Sequence, residues 1–256
     1  MPLAIVRGGG DLATGVIFRL WKVGFSVLVL EAAQPTMVRR TVSVAQAVFD
    51  GVCEIEGMTA RLISAPSAWN PSEIGVLIDP DGESLPDLQP DLLVDAIMAK
   101  RNCGTHRDMA PRVLALGPGF QAPEEVHAVI ETLRGHSLGR VITDGRAAPD
   151  TGVPGEIGGA TLDRLLRAPA DGFLEPLASI GDLVEPGQLL GHVAGVELRS
   201  QLGGVLRGLI HPSVPVRQGM KIGDVDPRAD RTLCFSISDK ALAIAGGVLE
   251  AAFAKR

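Results

Sequence analysis

The stretch Leu3-Ala-Ile-Val-Arg-Gly-Gly-Gly-Asp-Leu-Ala13 runs from an apolar strand through a glycine turn into a helix. Its glycines fit the spacing G-x-G-x-x-G/A, in which Gly8 makes the tight turn, Gly10 allows close backbone approach and Ala13 packs the helix on the sheet. A second predicted strand, Ser26–Leu30, leads into Glu31, whose carboxylate is placed to hold a ribose hydroxyl. The stretch therefore predicts a nucleotide-type site at the carboxyl end of the first strand.

Asp11 complicates this interpretation. As an N-cap it would itself satisfy the free N–H groups at the start of the helix, and its charge would repel a bound phosphate. Two alternatives therefore stay open at this point. Either Gly8–Gly10 and Thr14 approach an anionic ligand, or the segment is a purely structural strand–turn–helix.

Composition and charge exclude several classes of protein. The net charge of −6 disfavours nonspecific binding to nucleic acid or to an anionic membrane, and no apolar run reaches the length of about 18 residues that a membrane span needs. The absence of tyrosine excludes the Tyr–Lys chemistry of short-chain dehydrogenases. Three scattered cysteines, and an N-terminus without the basic and apolar regions of a signal peptide, predict a cytoplasmic protein.

Short apolar segments continue the α/β pattern over residues 1–160. The predicted strands are Val76–Ile78, Leu92–Ala96, Val113–Leu116 and Val141–Ile142. Each is apolar throughout, as is typical of strands that are buried on both faces of a parallel sheet. Glycine and charged residues follow them, and the carboxyl ends of parallel strands share one edge, where ligands bind. We therefore expect an α/β fold whose first domain is a Rossmann-like parallel sheet that binds a nucleotide.

A 32-residue repeat changes the pattern in the second half. Nine identities keep one ungapped register, beginning with Leu166 and Leu198. The segment Ile180–Val193 resembles the half-motif of biotinyl and lipoyl carrier domains, a flattened β-sandwich known as the barrel-sandwich hybrid. The hairpin Ala194–Glu197 lacks the lysine that carriers modify. We therefore expect residues 161–230 to form an inserted all-β module of this fold, in which the two copies pair, without the carrier function.

The end of the chain predicts one more helix. Ser238 and Asp239 suit an N-cap, and Lys240–Phe253 carries apolar residues at helical spacing. We expect residues 231–256 to pack this helix back on the Rossmann-like domain.

Two basic segments are candidates for anion binding. Lys100 and Arg101 follow a predicted strand, and Arg39-Arg40 follows Glu31 closely enough to hold a phosphate near the ribose, with a solvated helix face as the alternative.

Catalytic candidates lie in the first of these segments. They are Lys100, Cys103 and His106, because neighbouring cations favour a cysteine thiolate, although a lone cysteine is more often a small packing residue. The five histidines lack metal-ligand spacing, so we expect no metal site.

Strings along nearly the whole chain resemble one family. They are Arg7–Gly15, Pro35-Thr36 with Arg39–Val42, Ala99–Asn102, Leu116–Phe120, Val126–Thr132 with Arg134–His136, Thr151–Gly155, Lys221–Arg228 and Ile237–Lys240. Together they are similar to the YqeB-type accessory proteins of selenium-dependent molybdenum hydroxylases. The resemblance implies a cytoplasmic protein that is needed to mature a client molybdenum hydroxylase, in a role like that of the XdhC-type chaperones that handle molybdopterin.

Three functional hypotheses follow. The first is a maturation factor that binds a nucleotide, NAD(P) or a molybdopterin-type cofactor at the strand ends. The second is an NAD(P)-dependent oxidoreductase, and the third is a non-catalytic scaffold. The cofactor would contact residues of the glycine turn, Glu31 and the two basic segments: Gly8, Gly9, Gly10, Asp11, Ala13, Thr14, Glu31, Arg39, Arg40, Lys100, Arg101 and Asn102.

Overall fold

The computed structural model describes residues 1–152, 155–156 and 158–254, so the middle of the string Thr151–Gly155 lies outside the described residues. The chain divides into two compact units. The first unit comprises residues 1–33, 43–150 and 237–256, and the second comprises residues 34–42 and 151–236.

The described part of the first unit holds a nine-stranded sheet with the order β3-β4-β5-β2-β1-β6-β7-β8-β9. Its strands are β1 Leu3–Arg7, β2 Ser26–Glu31, β3 Val52–Ile55, β4 Met58–Ile63, β5 Ile74–Ile78, β6 Leu92–Asp95, β7 Arg112–Leu116, β8 Ala128–Ile130 and β9 Val141–Ile142. The strands from β4 to β8 pair in parallel, whereas β3 and β9 pair antiparallel at the two edges. The strands predicted from apolar segments are therefore confirmed, but the sheet is mixed.

The expectation of a Rossmann-like parallel sheet was wrong. A doubly wound fold needs a helix on each crossover and on both faces of the sheet. Here the helices are α1 Asp11–Lys22, α2 Ala47–Asp50, α3 Leu85–Leu88 and α4 Asp239–Phe253, and of these only α1 and α4 exceed four residues in the described ranges. Both α1 and α4 pack in one apolar cluster, while the cluster on the other face is completed by α3 and loop residues such as Phe120 and Val126.

Close contact between α1 and α4 defines the packing of the first face. Gly15 of α1 lies against Ala241 of α4, so that a Cβ on Gly15 would stand 2.7 Å from the Ala241 Cβ. The hydroxyl of Ser238 caps α4 by accepting a hydrogen bond from the Ala241 N–H at 3.2 Å. The last helix begins one residue earlier than predicted, and it packs on α1 of the first unit.

The second unit contains two sheets among its described residues. Its strands are β10 Leu165–Arg167, β11 Leu174–Pro176, β12 Leu183–Val184, β13 Leu189–Val193, β14 Val196–Arg199, β15 Gly204–Leu209 and β16 Lys221–Asp226. One sheet has the order β10-β16-β15-β12 and the other has the order β11-β13-β14.

The strand pairing follows the 32-residue repeat. The pair β10–β16 has its counterpart in β14–β13, and β11–β13 has its counterpart in β15–β16. The pairing of Val184 with Gly204 likewise returns as the bridge between Val216 and Gly172. The two copies therefore pair with each other, as expected. The two copies are not equivalent, however, because the counterpart of β12 makes only an isolated bridge. The expectation of a barrel-sandwich-hybrid module was wrong.

Candidate functional site

The candidate site lies in the first unit, at the edge where the parallel strands end. Since β1, β2, β5, β6, β7 and β8 run in parallel, the loops that follow them meet at one edge of the sheet. This edge carries the glycine turn and the loop with Lys100.

Glu31 binds the glycine turn itself. Its carboxylate accepts hydrogen bonds from the Gly9 N–H and the Ala32 N–H, both at 2.7 Å. Burial raises the pKa of this carboxyl from its ordinary value, and the two backbone hydrogen bonds offset the shift only in part. Glu31 therefore occupies a backbone donor that the sequence pattern offered to a phosphate.

The chain's own backbone also covers the turn. The Ala45 N–H donates to the Gly9 carbonyl at 3.0 Å, and the Val44 N–H donates to the Thr14 hydroxyl at 3.1 Å. That hydroxyl in turn donates to the Gly10 carbonyl at 2.9 Å, and Thr14 is fully buried. Thr14 thus has a structural role in place of the expected anion contact. Position 9 has little room for a side chain, because residues 44 and 45 lie against it.

Gly10 is the part of the turn that faces open space. It is the N-cap of α1, and a Cβ built on it would meet nothing within 4 Å. The interpretation of Asp11 as the N-cap was wrong, because Asp11 is the first helical residue. Ala13 is buried in the core, as expected of its packing role.

The loop after β6 is shaped by Asn102. Its side-chain oxygen accepts hydrogen bonds from the Gly104 N–H at 2.9 Å and the Thr105 N–H at 2.8 Å. Lys100 is exposed and pairs with Asp150 at 2.6 Å. Asn102 therefore organises the loop, and Lys100 already has an acidic partner.

The remaining loop candidates are on the surface. Arg101, Cys103 and His106 are exposed, and the Cys103 thiol lies 3.8 Å from the Arg101 carbonyl oxygen. The structure does not bring these side chains into a buried catalytic group, so their catalytic role stays a prediction.

A buried network that the sequence analysis missed lies beneath this loop. Arg7 donates to the Thr105 hydroxyl at 2.6 Å, and that hydroxyl donates to the Asp95 carboxylate at 2.6 Å. Burial raises the pKa of the Asp95 carboxyl, against the lowering effect of the hydrogen bond from Thr105. The sequence did contain a signal for this network, because Arg7 ends an apolar strand and a buried cation needs partners inside the fold.

Arg39 and Arg40 belong to the second unit, where both donate hydrogen bonds to backbone carbonyl groups. A guanidinium nitrogen of Arg39 donates to the Leu233 carbonyl at 2.9 Å, and the Arg40 Nε donates to the Leu209 carbonyl at 2.7 Å. Arg39 is also buried. Both arginines therefore make structural contacts, and their role in binding a phosphate stays a prediction.

Lys240 is the residue at this edge that sequence reasoning did not assign to the site. It is half-buried in the first turn of α4, and its ammonium group makes no hydrogen bond or ion pair with any residue that the structure describes. Burial lowers the pKa of Lys240, the charge of Asp11 raises it in part, and Arg134 lowers it further. Lys240 is therefore a cation without a close partner in a partly desolvated position.

Two of the three acidic side chains whose charge acts on Lys240, Glu131 and Asp239, form hydrogen bonds with other groups. Glu131 accepts hydrogen bonds from the Leu133 N–H at 2.7 Å and the Ala148 N–H at 2.8 Å. Arg134 binds both carboxylate oxygens of Asp239, at 2.7 and 3.0 Å.

Two helices begin beside Lys240. The starts of α1 and α4 both present partial positive charge, which adds to that of the lysine. This arrangement suits an anionic group. Asp11, Arg134 and Lys240 come from three of the separate strings that carry the family resemblance.

The described residues offer neither a metal-binding group nor a membrane-spanning helix. In the described ranges no group of three or more His, Cys, Asp or Glu side chains is placed to hold a metal ion. None of the helices that the structure describes is long and apolar enough to cross a membrane.

Comparison with known proteins identifies one curated relative and several remote structures. No family model matches the chain. The chain is 49% identical over 253 residues to the uncharacterized protein YqeB of Escherichia coli (strain K12). The match covers 97% of this chain and 47% of that protein, so the chain spans about half the length of the curated relative.

The solved structures are far more distant. An aspartoacylase family protein from Mesorhizobium loti is 12% identical, with coverage of 88% of this chain and 84% of that chain and a TM-score of 0.28. The ectoine utilization protein EutE (DoeB) from Ruegeria pomeroyi is 13% identical, with coverage of 88% and 85% and a TM-score of 0.26. The expectations of a Rossmann-like, barrel-sandwich-hybrid or XdhC-like fold are withdrawn on the sheet order and the helices described above, and none of these structures carries such a name. Their TM-scores are too low to carry an argument about function.

Proposed function

Because this chain is a YqeB-type protein, we propose that it is an accessory factor in the maturation of a selenium-dependent molybdenum hydroxylase. In this role it binds a nucleotide or a phosphorylated pterin cofactor through Lys240. The curated relative has no assigned activity in its name and is about twice as long as the chain, so both parts rest on the arguments below.

The unpartnered ammonium group of Lys240 is the observation that carries the ligand part. A cation at the start of a helix works against the helix dipole, and partial burial adds to that cost. A bound phosphate offsets both effects, because it brings a negative charge into direct contact with the ammonium group and accepts hydrogen bonds from the helix start. The open space at Gly10 lets such a group reach the start of α1 without a clash.

The location of the site differs from an ordinary dinucleotide site. There the phosphate lies on the glycine turn, but here Glu31 takes the Gly9 N–H and residues 44 and 45 lie against the turn. The proposed ligand instead lies between the starts of α1 and α4. The proposal places the protein in the cytoplasm, where thiols stay reduced, and Cys53, Cys103 and Cys234 are free thiols.

The ligand part is tested by thermal unfolding with a panel of NAD(H), NADP(H), adenine and cytidine nucleotides and a molybdopterin-type ligand. A ligand at about 100 times its dissociation constant stabilises the chain by about 2.7 kcal/mol. The shift should disappear in Lys240→Gln and persist in Lys22→Gln, a lysine at the far end of α1 that packs on Phe18 and Trp21. A panel without any shift, or an equal shift in both variants, would refute the Lys240 site.

The maturation part needs a separate measurement. A selenium-dependent molybdenum hydroxylase is produced with the wild-type chain, with Lys240→Gln or without the chain, and its molybdenum content and active fraction are compared. We expect both to fall without the chain and with Lys240→Gln. Equal activity in all three preparations would refute the accessory role, even if the ligand binds.

A further inference from the structure

A buried ionic cluster in the second unit is unequally charged. It consists of Arg164, Arg207, Asp224, Asp226 and Arg228, that is three guanidinium groups and two carboxylates. The side chains of Arg164, Asp224 and Asp226 are more than nine-tenths buried, and only Arg228 is substantially exposed. Within the cluster the guanidinium groups outnumber the carboxylates by three to two, and the charge of Asp230 acts on Arg228 from outside it.

Arg207 and Arg228 take up almost all the acceptors. Asp224 Oδ2 accepts two hydrogen bonds from Arg207, at 2.6 and 3.0 Å. Asp226 accepts one hydrogen bond from Arg207 at 3.0 Å and three from the backbone N–H and guanidinium of Arg228, at 2.6 to 3.1 Å.

Arg164 is the member of the cluster whose guanidinium is only partly paired. One of its terminal nitrogens lies 3.2 Å from Asp224 Oδ1, but Asp224 Oδ1 has no hydrogen bond. The other two nitrogens of the guanidinium, Nε and Nη1, are buried and have no partner among the residues that the structure describes. Burial lowers the pKa of Arg164, and the charge of Asp224 only partly restores it. Arg164 therefore has one ion pair, with Asp224, and two buried N–H groups that lack an acceptor.

The cluster is not a requirement of the repeated fold. At the equivalent positions 32 residues earlier, Arg207 is replaced by Glu175 and Asp224 is replaced by His192. Asp226 is likewise replaced by Ala194. The strand pairing is the same at these positions of the other copy, where the charges are absent, so the pairing does not depend on them.

We propose that Arg164 is the anchor of a binding site for one oxyanion, a carboxylate or a phosphate group, in the second unit. The planar guanidinium matches both groups, because it offers several N–H donors to paired oxygen atoms. Arg228 is the exposed member of the cluster, so the cluster reaches the surface at its side chain. This site is independent of the one proposed at Lys240.

The test measures anion binding in the full chain, with Lys240→Gln as the background so that the first site does not contribute. Thermal unfolding is followed in sodium phosphate, sodium acetate and sodium chloride at one ionic strength. We expect stabilisation by phosphate or by acetate relative to chloride, which distinguishes a phosphate from a carboxylate ligand. Arg164→Gln should weaken the binding about ten- to hundredfold. Arg167→Gln, an exposed arginine that holds the Gly219 carbonyl, should bind as the background does.

A second measurement covers the case in which Arg164→Gln does not fold. The Nε–H signal of Arg164 is followed by NMR in the Lys240→Gln background during titration with phosphate and acetate. A saturable shift of this signal supports the site. Equal stability in all three salts, or no change of the Arg164 signal, would overturn the proposal.

Discussion

Replacing Gly15 with alanine is expected to separate α4 from α1 and to destabilise the first unit. A Cβ at this position would lie 2.7 Å from the Ala241 Cβ and 2.8 Å from both the carbonyl carbon and the carbonyl oxygen of Ala241. Two of these three atoms belong to the backbone. Because backbone cannot rotate away as the end of a long side chain does, one of the two helices must move.

The size of the effect follows from two opposing contributions. Overpacking against backbone costs up to about 3 kcal/mol. Alanine in place of glycine inside a helix stabilises the helix by about 1 kcal/mol. The expected net loss is about 2 kcal/mol, which lowers the Tm by about 4–8 °C for a protein of this size.

Gly246 provides a matched control. It lies in α4, it is exposed, and a Cβ there would meet nothing within 4 Å. Gly246→Ala should therefore stabilise the protein by about 0.5–1 kcal/mol in urea unfolding. Since Lys240 precedes Ala241, Gly15→Ala should also weaken ligand binding. Equal stability of Gly15→Ala and Gly246→Ala would refute the reasoning that Gly15 sets the distance between the helices.

Three further predictions concern the strand-end edge. Thr105→Val should cost about 1–3 kcal/mol in urea unfolding, because it removes the hydroxyl that joins Arg7 to Asp95, and Thr105→Ser should not. An equal loss in both variants would contradict this. Because the folded pKa of Asp95 is raised, its contribution to stability is present below pH 3.8 and is lost as the pH rises through the folded pKa. The unfolding free energy should therefore fall relative to that of Asp95→Asn over that range, and parallel pH curves would argue against it. Gly10→Val should change stability by less than about 1 kcal/mol, since a Cβ at this position meets nothing within 4 Å, but should abolish ligand binding. Unchanged affinity would exclude the start of α1 from the site.

Local signals were sufficient for the elements at the two ends of the first unit. Gly8 has a φ of +91°, a conformation that glycine adopts without strain, and this turn joins β1 to α1 as the spacing predicts. Ser238 caps α4 as expected of a serine before a run of helix formers. The repeat also predicted correctly that its two copies pair.

The antiparallel edges of the large sheet were not predicted. β3 and β4 are joined by Glu56 and Gly57, which both have positive φ values, 48° and 78°. This two-residue turn favours a hairpin, but Glu-Gly is a weaker signal than Asn-Gly or Asp-Gly. The absence of helices on most crossovers was not predicted either, for a related reason. Short apolar segments show where strands are, whereas the connections between them have no comparable periodicity.

The sequence by itself determined the strand–turn–helix start, the capped last helix and the duplicated β unit, because each depends on residues that are close together or repeated in register. Only the tertiary structure decided which charged groups meet. It brought Lys240 beside Asp11 and placed Glu31 on the Gly9 N–H. It also left Arg164 without enough acceptors. These outcomes depend on contacts between distant segments, and the charge of a side chain does not specify which partner the folded chain will bring to it.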